Sequence, residues 1–418
     1  MKELDRLLSF GLGFTVFFVL WGFIFSNTII ASYIVNDICY ATLLFLFSVL
    51  IVRYSSIEIS VLAAIWCPYL LYTIFGLLLG GNYTSAILWI VSLVLVCIGS
   101  RSDLISVFPA KMVYWSGLLA TIGVIFQLLF PDFYYSRISS FFVNFDQIEE
   151  WENQYGIAGF TNNIGITAYL IVYGEIILLY MKDKVLPQKL HLIPFYAIFV
   201  LMLICTLLTG KRSMSLISIL LPLILYILFT RVSAKKIFTI SSIIIVCYLS
   251  VIYFISHLNE FEDSYFLRRF VTSYNNFQEG EDITSGRTLL YEKAILAFHE
   301  SPIYGIGVAN FRNYTGSDTN VHNAYLQILC EQGILGLVLY IIPLLYTIYY
   351  SIKLIRRIEE QNYLIAFLYV SIAFQLVHIL YGMTGNVTVD KILILYFLAV
   401  SIVIDIRSRI EDDPCSTF

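Results

Sequence analysis

The sequence predicts an all-α, polytopic membrane protein of about twelve transmembrane helices with one large extracytoplasmic loop. Three observations predict it. Hydrophobic residues make up 59% of the 418 and charged residues only 13%, and mean hydropathy is +0.83, well outside the range of a soluble domain. Apolar runs recur at close to the roughly 20 residues that a helix needs to cross the hydrocarbon core. Lys and Arg then alternate between connections, which sets an orientation.

The first run, 7–25, follows Met1-Lys-Glu-Leu-Asp-Arg6 and looks like a secretory signal. It is too long for one and no small-residue cleavage site follows, so a retained first helix is expected. Further spans are expected at 36–52, 57–79, 83–99 and 111–130, closing an N-terminal block over 1–130. A central block over 161–256 holds spans at 161–181, 192–209, 213–230 and 237–256. A C-terminal block over 324–405 holds 324–350, 364–381 and 389–405, and a tail runs over 406–418. Roughly sixteen of the 25 cations fall in seven short segments that share one side. Cytoplasmic N- and C-termini follow.

Two polar insertions, 131–160 and 257–323, then face outside. The first is acidic and aromatic, with Asp146, Glu149, Glu150, Trp151 and Glu152. In the second, Thr288–Glu300 reads as an amphipathic helix that Ser301-Pro302 stops, with a turn at Gly305-Ile-Gly307. Long loops of this kind are usually functional or disordered, and the apolar and aromatic content here argues for order.

Several function classes are excluded early. A net charge of −4 is wrong for a general nucleic-acid binder. Of the seven cysteines, no two stand at CxxC spacing and six lie in or beside apolar runs, which suits small packing residues. The chain has no GxxxxGK[ST] loop, no His/Cys cluster at metal spacing and no Asp-x-Asp. Chemistry without a metal or cofactor is expected, carried by Arg, Lys and His.

Outer connections should be poor in cations, so the exceptions stand out. Leu208-Thr-Gly-Lys211-Arg212-Ser213 is a whole outer turn with two cations at the start of a helix, and Thr284-Ser-Gly-Arg287-Thr288 repeats the device. Backbone N–H groups and the positive end of a helix dipole favour an anion there. Arg adds a planar fork suited to phosphate. The plainer reading is that these cations snorkel or pair with loop acids.

His322 stands where the polar loop turns into an apolar helix. A helix N-terminus disfavours imidazolium, so a neutral ring able to accept a proton is expected. A hydrogen-bonded interfacial histidine is the plainer alternative. Glu331 follows nine residues later, on the opposite side of an ideal helix, so it should pair elsewhere. Gly333 and Gly336 read as a face for close helix contact. Glu175 reads as a bundle-interior hydrogen-bond partner or part of a proton path, and His378 as a marginal second histidine.

Three blocks in this order resemble the O-antigen polymerase and O-antigen ligase family. They are Leu-Thr-Gly-Lys-Arg212-Ser, Ser-Gly-Arg287 through Pro302-Ile-Tyr-Gly-Ile-Gly-Val-Ala-Asn-Phe311, and His322-Asn-Ala-Tyr-Leu through Glu331-Gln-Gly-Ile-Leu-Gly. They span about 206–345, while the N-terminal half matches only in architecture. The resemblance implies a polytopic, GT-C-like glycosyltransferase in the bacterial inner membrane, acting on its outer face. It implies an undecaprenyl-diphosphate-linked oligosaccharide donor, a glycan acceptor, and partner proteins such as a flippase and a chain-length regulator.

Carried onto this chain, His322 is the expected general base, and Arg212 and Arg287 hold the diphosphate. Lys211, Glu331, Asn323 and Tyr325 are expected on the substrate side, Glu331 as support rather than chemistry. The favoured activity is a polysaccharide polymerase making O-antigen, capsule or exopolysaccharide; the alternative is a ligase. The rival class is a lipid-linked-sugar flippase or proton-coupled transporter using Glu175, Glu331 and Asp37. A transporter should keep its key charges near the midplane, whereas these cations and His322 gather at the outer interface.

Overall fold

The computed structural model describes residues 11, 21, 60–98, 107–141, 156–161, 163–186, 193–229, 233–257, 260, 268–280, 284, 286–358, 364–388 and 392–411. All regular structure among them is helical. Of the expected spans 7–25 and 36–52 only residues 11 and 21 are described, and Asp37 and the acidic cluster at 146–152 lie outside the described residues.

Ten long helices stand at the remaining ten expected positions. They are α1 (Val61–Leu79), α2 (Tyr83–Ile98), α3 (Val107–Leu129), α4 (Ile164–Val185), α5 (Ile193–Leu208), α6 (Arg212–Phe229) and α7 (Ala234–Ser256). After the loop region, which holds α8 (Arg268–Glu279), α9 (Arg287–Glu300) and α10 (Phe311–Thr315), come α11 (Ala324–Ile355), α12 (Leu364–Gly382) and α13 (Leu393–Glu411). Among the described residues five stretches are long and apolar enough to cross a bilayer: α1, Pro109–Leu129, α4, α11 and α12. The chain is a multi-pass membrane protein.

Close backbone approach and aromatic packing hold the bundle. α3 lies along α4, and a Cβ built on Gly117 would come within 2.8 Å of the Gly174 Cα. Any side chain at either glycine pushes the helices apart, the usual logic of small residues between membrane helices. Elsewhere Trp66 of α1 sits edge-on among Tyr69, Tyr340, Tyr396 and Phe397, and its indole N–H donates to Thr347 Oγ1 at 3.0 Å. Glu175 is buried in α4, where the hydroxyls of Thr206 (α5) and Ser218 (α6) donate to its carboxylate. This is the bundle-interior role. His378 is likewise enclosed, its Nε2 2.7 Å from the Tyr340 hydroxyl.

The amphipathic segment of the loop forms as α9, one residue longer than expected, and ends at Ser301. Its Ala294 and Ala297 are buried, while Leu289, Ile295 and Leu296 stay exposed. α8 and α10 are two further helices of the loop region.

One expectation is overturned. Gly333 and Gly336 do not form a helix-contact face, because α11 breaks at Gly333, with φ 67° and ψ −168°. That conformation belongs essentially to glycine. The Pro302–Gly307 turn lies in the break. Ile334 N–H donates to Pro302 O and Leu335 N–H to Ile303 O, at 2.9 and 3.2 Å. Ile306 N–H and Gly307 N–H donate to the Cys330 and Glu331 carbonyls, both at 2.9 Å. The turn thus supplies partners for carbonyls and amides that an interrupted helix leaves open. A Cβ on Gly333 would lie 2.2 Å from Ile303 O.

Candidate active site

The site forms at the end of the bundle where α4, α6, α9 and α11 all begin. Arg212 and Arg287 are the first residues of their helices, and Lys211 precedes Arg212. Asn163 and Asn323 cap α4 and α11, each accepting two backbone N–H groups on its side-chain oxygen. Four helix N-termini therefore add positive dipole ends to three cations. At the opposite end α4 finishes with Lys182 and Lys184, and α11 with Lys353.

His322, just outside α11, adopts φ 58°, a left-handed conformation rare for a residue with a side chain. Asn386 holds it there. The Asn386 Oδ1 accepts from His322 N–H at 2.9 Å, and its Nδ2 lies 3.3 Å from His322 Nδ1. With Oδ1 committed to the backbone, the amide turns a donor toward the ring. The neutral imidazole then keeps its lone pair on Nδ1 and its proton on Nε2. Burial, then repulsion from Arg287 and Lys211, holds the ring well below the usual histidine range, at about 4. At neutral pH it is uncharged and can take a proton.

The cations are placed individually. Arg287 Nη1 donates to the Thr384 carbonyl at 3.1 Å. Arg212 Nη1 donates to the Ser273 hydroxyl of α8, and Arg212 stands near enough to Arg287 for the two to repel. Lys211 Nζ sits 5.5 Å from the centre of the Tyr381 ring, a cation–π contact. Tyr381 in turn meets Tyr169 edge-on at 4.5 Å. Cations held together against their own repulsion make a site that gains from an arriving polyanion.

One segment touches Lys211, Arg287 and His322 and was missed in the sequence: the end of α12 and the turn after it, Tyr381-Gly-Met-Thr-Gly-Asn386. Tyr381 carries Lys211, the Thr384 carbonyl takes Arg287, and Asn386 orients His322. A glycine and an asparagine in a short connection signal a turn. Their partners, 64 and 97 residues away, are invisible to local patterns.

The expected substrate-side residues divide. Lys211 belongs to the cation cluster. Glu331 supports structure from the loop side rather than lining the cation cluster: it is buried, its two carboxylate oxygens accept from Ala309 N–H at 2.9 Å and Phe311 N–H at 3.1 Å, and Gln327 donates to it at 3.0 Å. It is turned to the loop backbone and braces it. Asn323 spends its side-chain oxygen on capping, and the Tyr325 hydroxyl donates to the Ile379 carbonyl at 3.0 Å. Both shape the wall behind His322.

A cavity of about 460 Å³ opens beside His322. Arg287, Leu290 and Lys293 of α9 line one side and the Gly316–Thr319 turn the other. Lys293 Nζ donates to Ser317 Oγ at 3.1 Å and to the Thr315 carbonyl at 3.4 Å.

Residues 197–341 match the family model described as O-antigen ligase, a stretch that takes in Lys211, Arg212, Arg287, His322 and Glu331. The matched stretch covers the three sequence blocks that resemble this family. No curated protein matches it. The match supports reading the chain as a glycan transferase of the O-antigen polymerase and ligase type. The 381–386 turn lies beyond the matched stretch, so the site extends past the family domain.

Proposed function

We propose that this protein is a polysaccharide polymerase that moves a glycan from undecaprenyl diphosphate to a hydroxyl of a second lipid-linked repeat unit. The observation that carries the reading is one neutral histidine and three cations held together at one end of the bundle. The acceptor hydroxyl attacks the anomeric carbon, its proton passes to His322 Nδ1, and the bond from that carbon to the diphosphate oxygen breaks. Asn386 gives up its long contact with Nδ1 as the proton arrives. Undecaprenyl diphosphate leaves with an added negative charge, which Arg212 and Arg287 balance, with Lys211 assisting. A single displacement inverts the anomeric configuration, and no metal enters the reaction.

We place the termini in the cytoplasm and the site on the outer face of the bacterial inner membrane, within a GT-C-like architecture. A flippase would deliver the lipid-linked substrate, and a chain-length regulator would set the product. The transporter alternative loses support because Glu175 and Glu331 are both engaged in holding structure. The ligase alternative keeps a specific support, the description of the matched family model. It shares the donor chemistry and differs in the acceptor.

The test is elongation of an undecaprenyl-diphosphate repeat unit by purified protein, comparing wild type with His322→Ala and Arg287→Ala. A ladder of longer lipid-linked glycans, lost in the folded variants, supports both polymerase and site. No ladder with the authentic repeat moves the reading to a ligase. A ladder that survives His322→Ala removes the general base.

A further inference from the structure

The transferase reading needs two sugar substrates, and the site has two unlike lobes. Around Arg212 and Lys211 the groups are cations beside helix N-termini, close to the ends of apolar helices. That suits a diphosphate whose polyprenyl tail stays in the bilayer. On the other side of Arg287 and His322 lies the cavity of about 460 Å³, within the roughly 300–1,000 Å³ that small-ligand pockets occupy. Lys211 and Arg212 take no part in its lining.

That cavity has a different chemistry. Arg287, Leu290 and Lys293 stand at three- and six-residue spacing, one face of α9 that extends about 9 Å along the helix. Facing them are the hydroxyls of Ser317 and Thr319 and the carboxylate of Asp318. A diphosphate wants donors only, and Asp318 repels it. A saccharide offers neighbouring hydroxyls that both donate and accept, and this mixture meets both needs. An ammonium has three donors; Lys293 spends two on the 315–317 turn, leaving one for a ligand. Asp318 is exposed and accepts. The apolar side of Leu290 gives a ring face something to lie on.

We propose that this cavity is the acceptor-saccharide subsite, with Lys293 and Asp318 binding the sugar whose hydroxyl is presented to His322. The inference rests on the transferase reading and deepens it. Donor and acceptor then enter from opposite sides of Arg287 and meet at His322. Selection among acceptors is set by the 316–319 turn and the outer half of α9, and selection for the lipid diphosphate by Lys211 and Arg212.

The test separates the lobes by binding. The probes are undecaprenyl diphosphate, and the free oligosaccharide released from lipid-linked repeat units of a producing strain that lacks this protein. Full-length protein in nanodiscs is titrated with the lipid by thermophoresis and with the oligosaccharide by saturation-transfer NMR. Asp318→Asn and Lys293→Ala should weaken oligosaccharide binding by about ten-fold, the loss of one charge-assisted hydrogen bond. Both should leave lipid binding within about two-fold. Arg212→Ala should do the reverse. Oligosaccharide binding that survives both cavity variants overturns the subsite. So does wild-type protein that binds the lipid and not the oligosaccharide, which leaves the transferase reading standing. Wild-type protein that does not bind undecaprenyl diphosphate overturns that reading and the subsite with it. Asp318 is exposed, so its variant tests binding rather than folding.

Discussion

Replacing Asn386 by aspartate tests the center of the site, because it changes the charge beside His322 and almost nothing else. In the wild type the ring is held at about 4, by burial first and then by Arg287 and Lys211. The neutral ring is the active form, so activity should fall only as pH drops through about 4. The Asn386 amide lies 3.3 Å from Nδ1. A carboxylate at that distance favours the imidazolium, and opposite charges this close raise a histidine by about 1–3 units. The acid limb in Asn386→Asp therefore moves up, to between roughly pH 5 and 7. With a shift of about two units, the ring at pH 5 changes from roughly nine-tenths neutral to roughly one-tenth, about a ten-fold loss. The carboxylate also draws the neutral ring's proton onto Nδ1, so the plateau at pH 8 should fall as well. The assay is kcat/KM for elongation from pH 4 to 9 in detergent, with folding checked by thermal melting. An acid limb that stays at the wild-type position refutes the contact between Asn386 and the ring. A limb that moves while the plateau holds its height refutes proton acceptance at Nδ1.

Arg287→Ala and Arg212→Ala should each lower kcat by about 10²–10³, as loss of a group aimed at developing charge does; melting curves that match wild type would show the loss is chemical. Gly333→Ala puts a Cβ 2.2 Å from Ile303 O and forces a conformation that costs on the order of 1–3 kcal/mol. It should lower the melting temperature and open the 301–321 segment to protease, and wild-type behaviour in both would refute the turn-in-break geometry. Glu331→Gln leaves one carbonyl oxygen for two backbone donors and should destabilise by about 1.5–3 kcal/mol. Its thermal melt should drop while the acid limb of the pH profile stays in place. Elongation should continue in excess EDTA, and a metal requirement restored by a divalent ion would remove the charge-balancing role given to Arg212 and Arg287.

The sequence carried the local half of this fold well. Hydropathy placed ten helices because burial in lipid needs long apolar runs, and that demand is written residue by residue. His322 and Arg287 were readable for a related reason. Each breaks a local rule, a histidine at the start of an apolar helix and a cation in a connection where cations are scarce. Rule-breaking residues are where function is expected. What stayed hidden is what distant segments do for each other. Gly333 in an apolar run looks like a contact face, since nothing nearby announces that Pro302–Gly307 will occupy the break. Glu331 looks like a functional charge in a membrane helix, because the backbone amides that satisfy it are 20 and 22 residues earlier.

These hidden links join the second and third recognisable blocks to each other. Turn 302–307 and helix segment 330–335 complete each other's backbone hydrogen bonds. Glu331 then fixes Ala309 and Phe311, and α10 leads from there through the Gly316–Thr319 turn to His322. His322 is thereby positioned by a loop that is anchored inside a membrane helix. The turn at 381–386 closes the arrangement from the other side through Tyr381, Thr384 and Asn386. A rigid base against a strained backbone is what an uncatalysed proton transfer lacks, and both supports are long-range. On the proposed mechanism, chemistry is therefore tied to the tertiary fold of the loop, and variants that free either anchor should lose activity before the bundle unfolds.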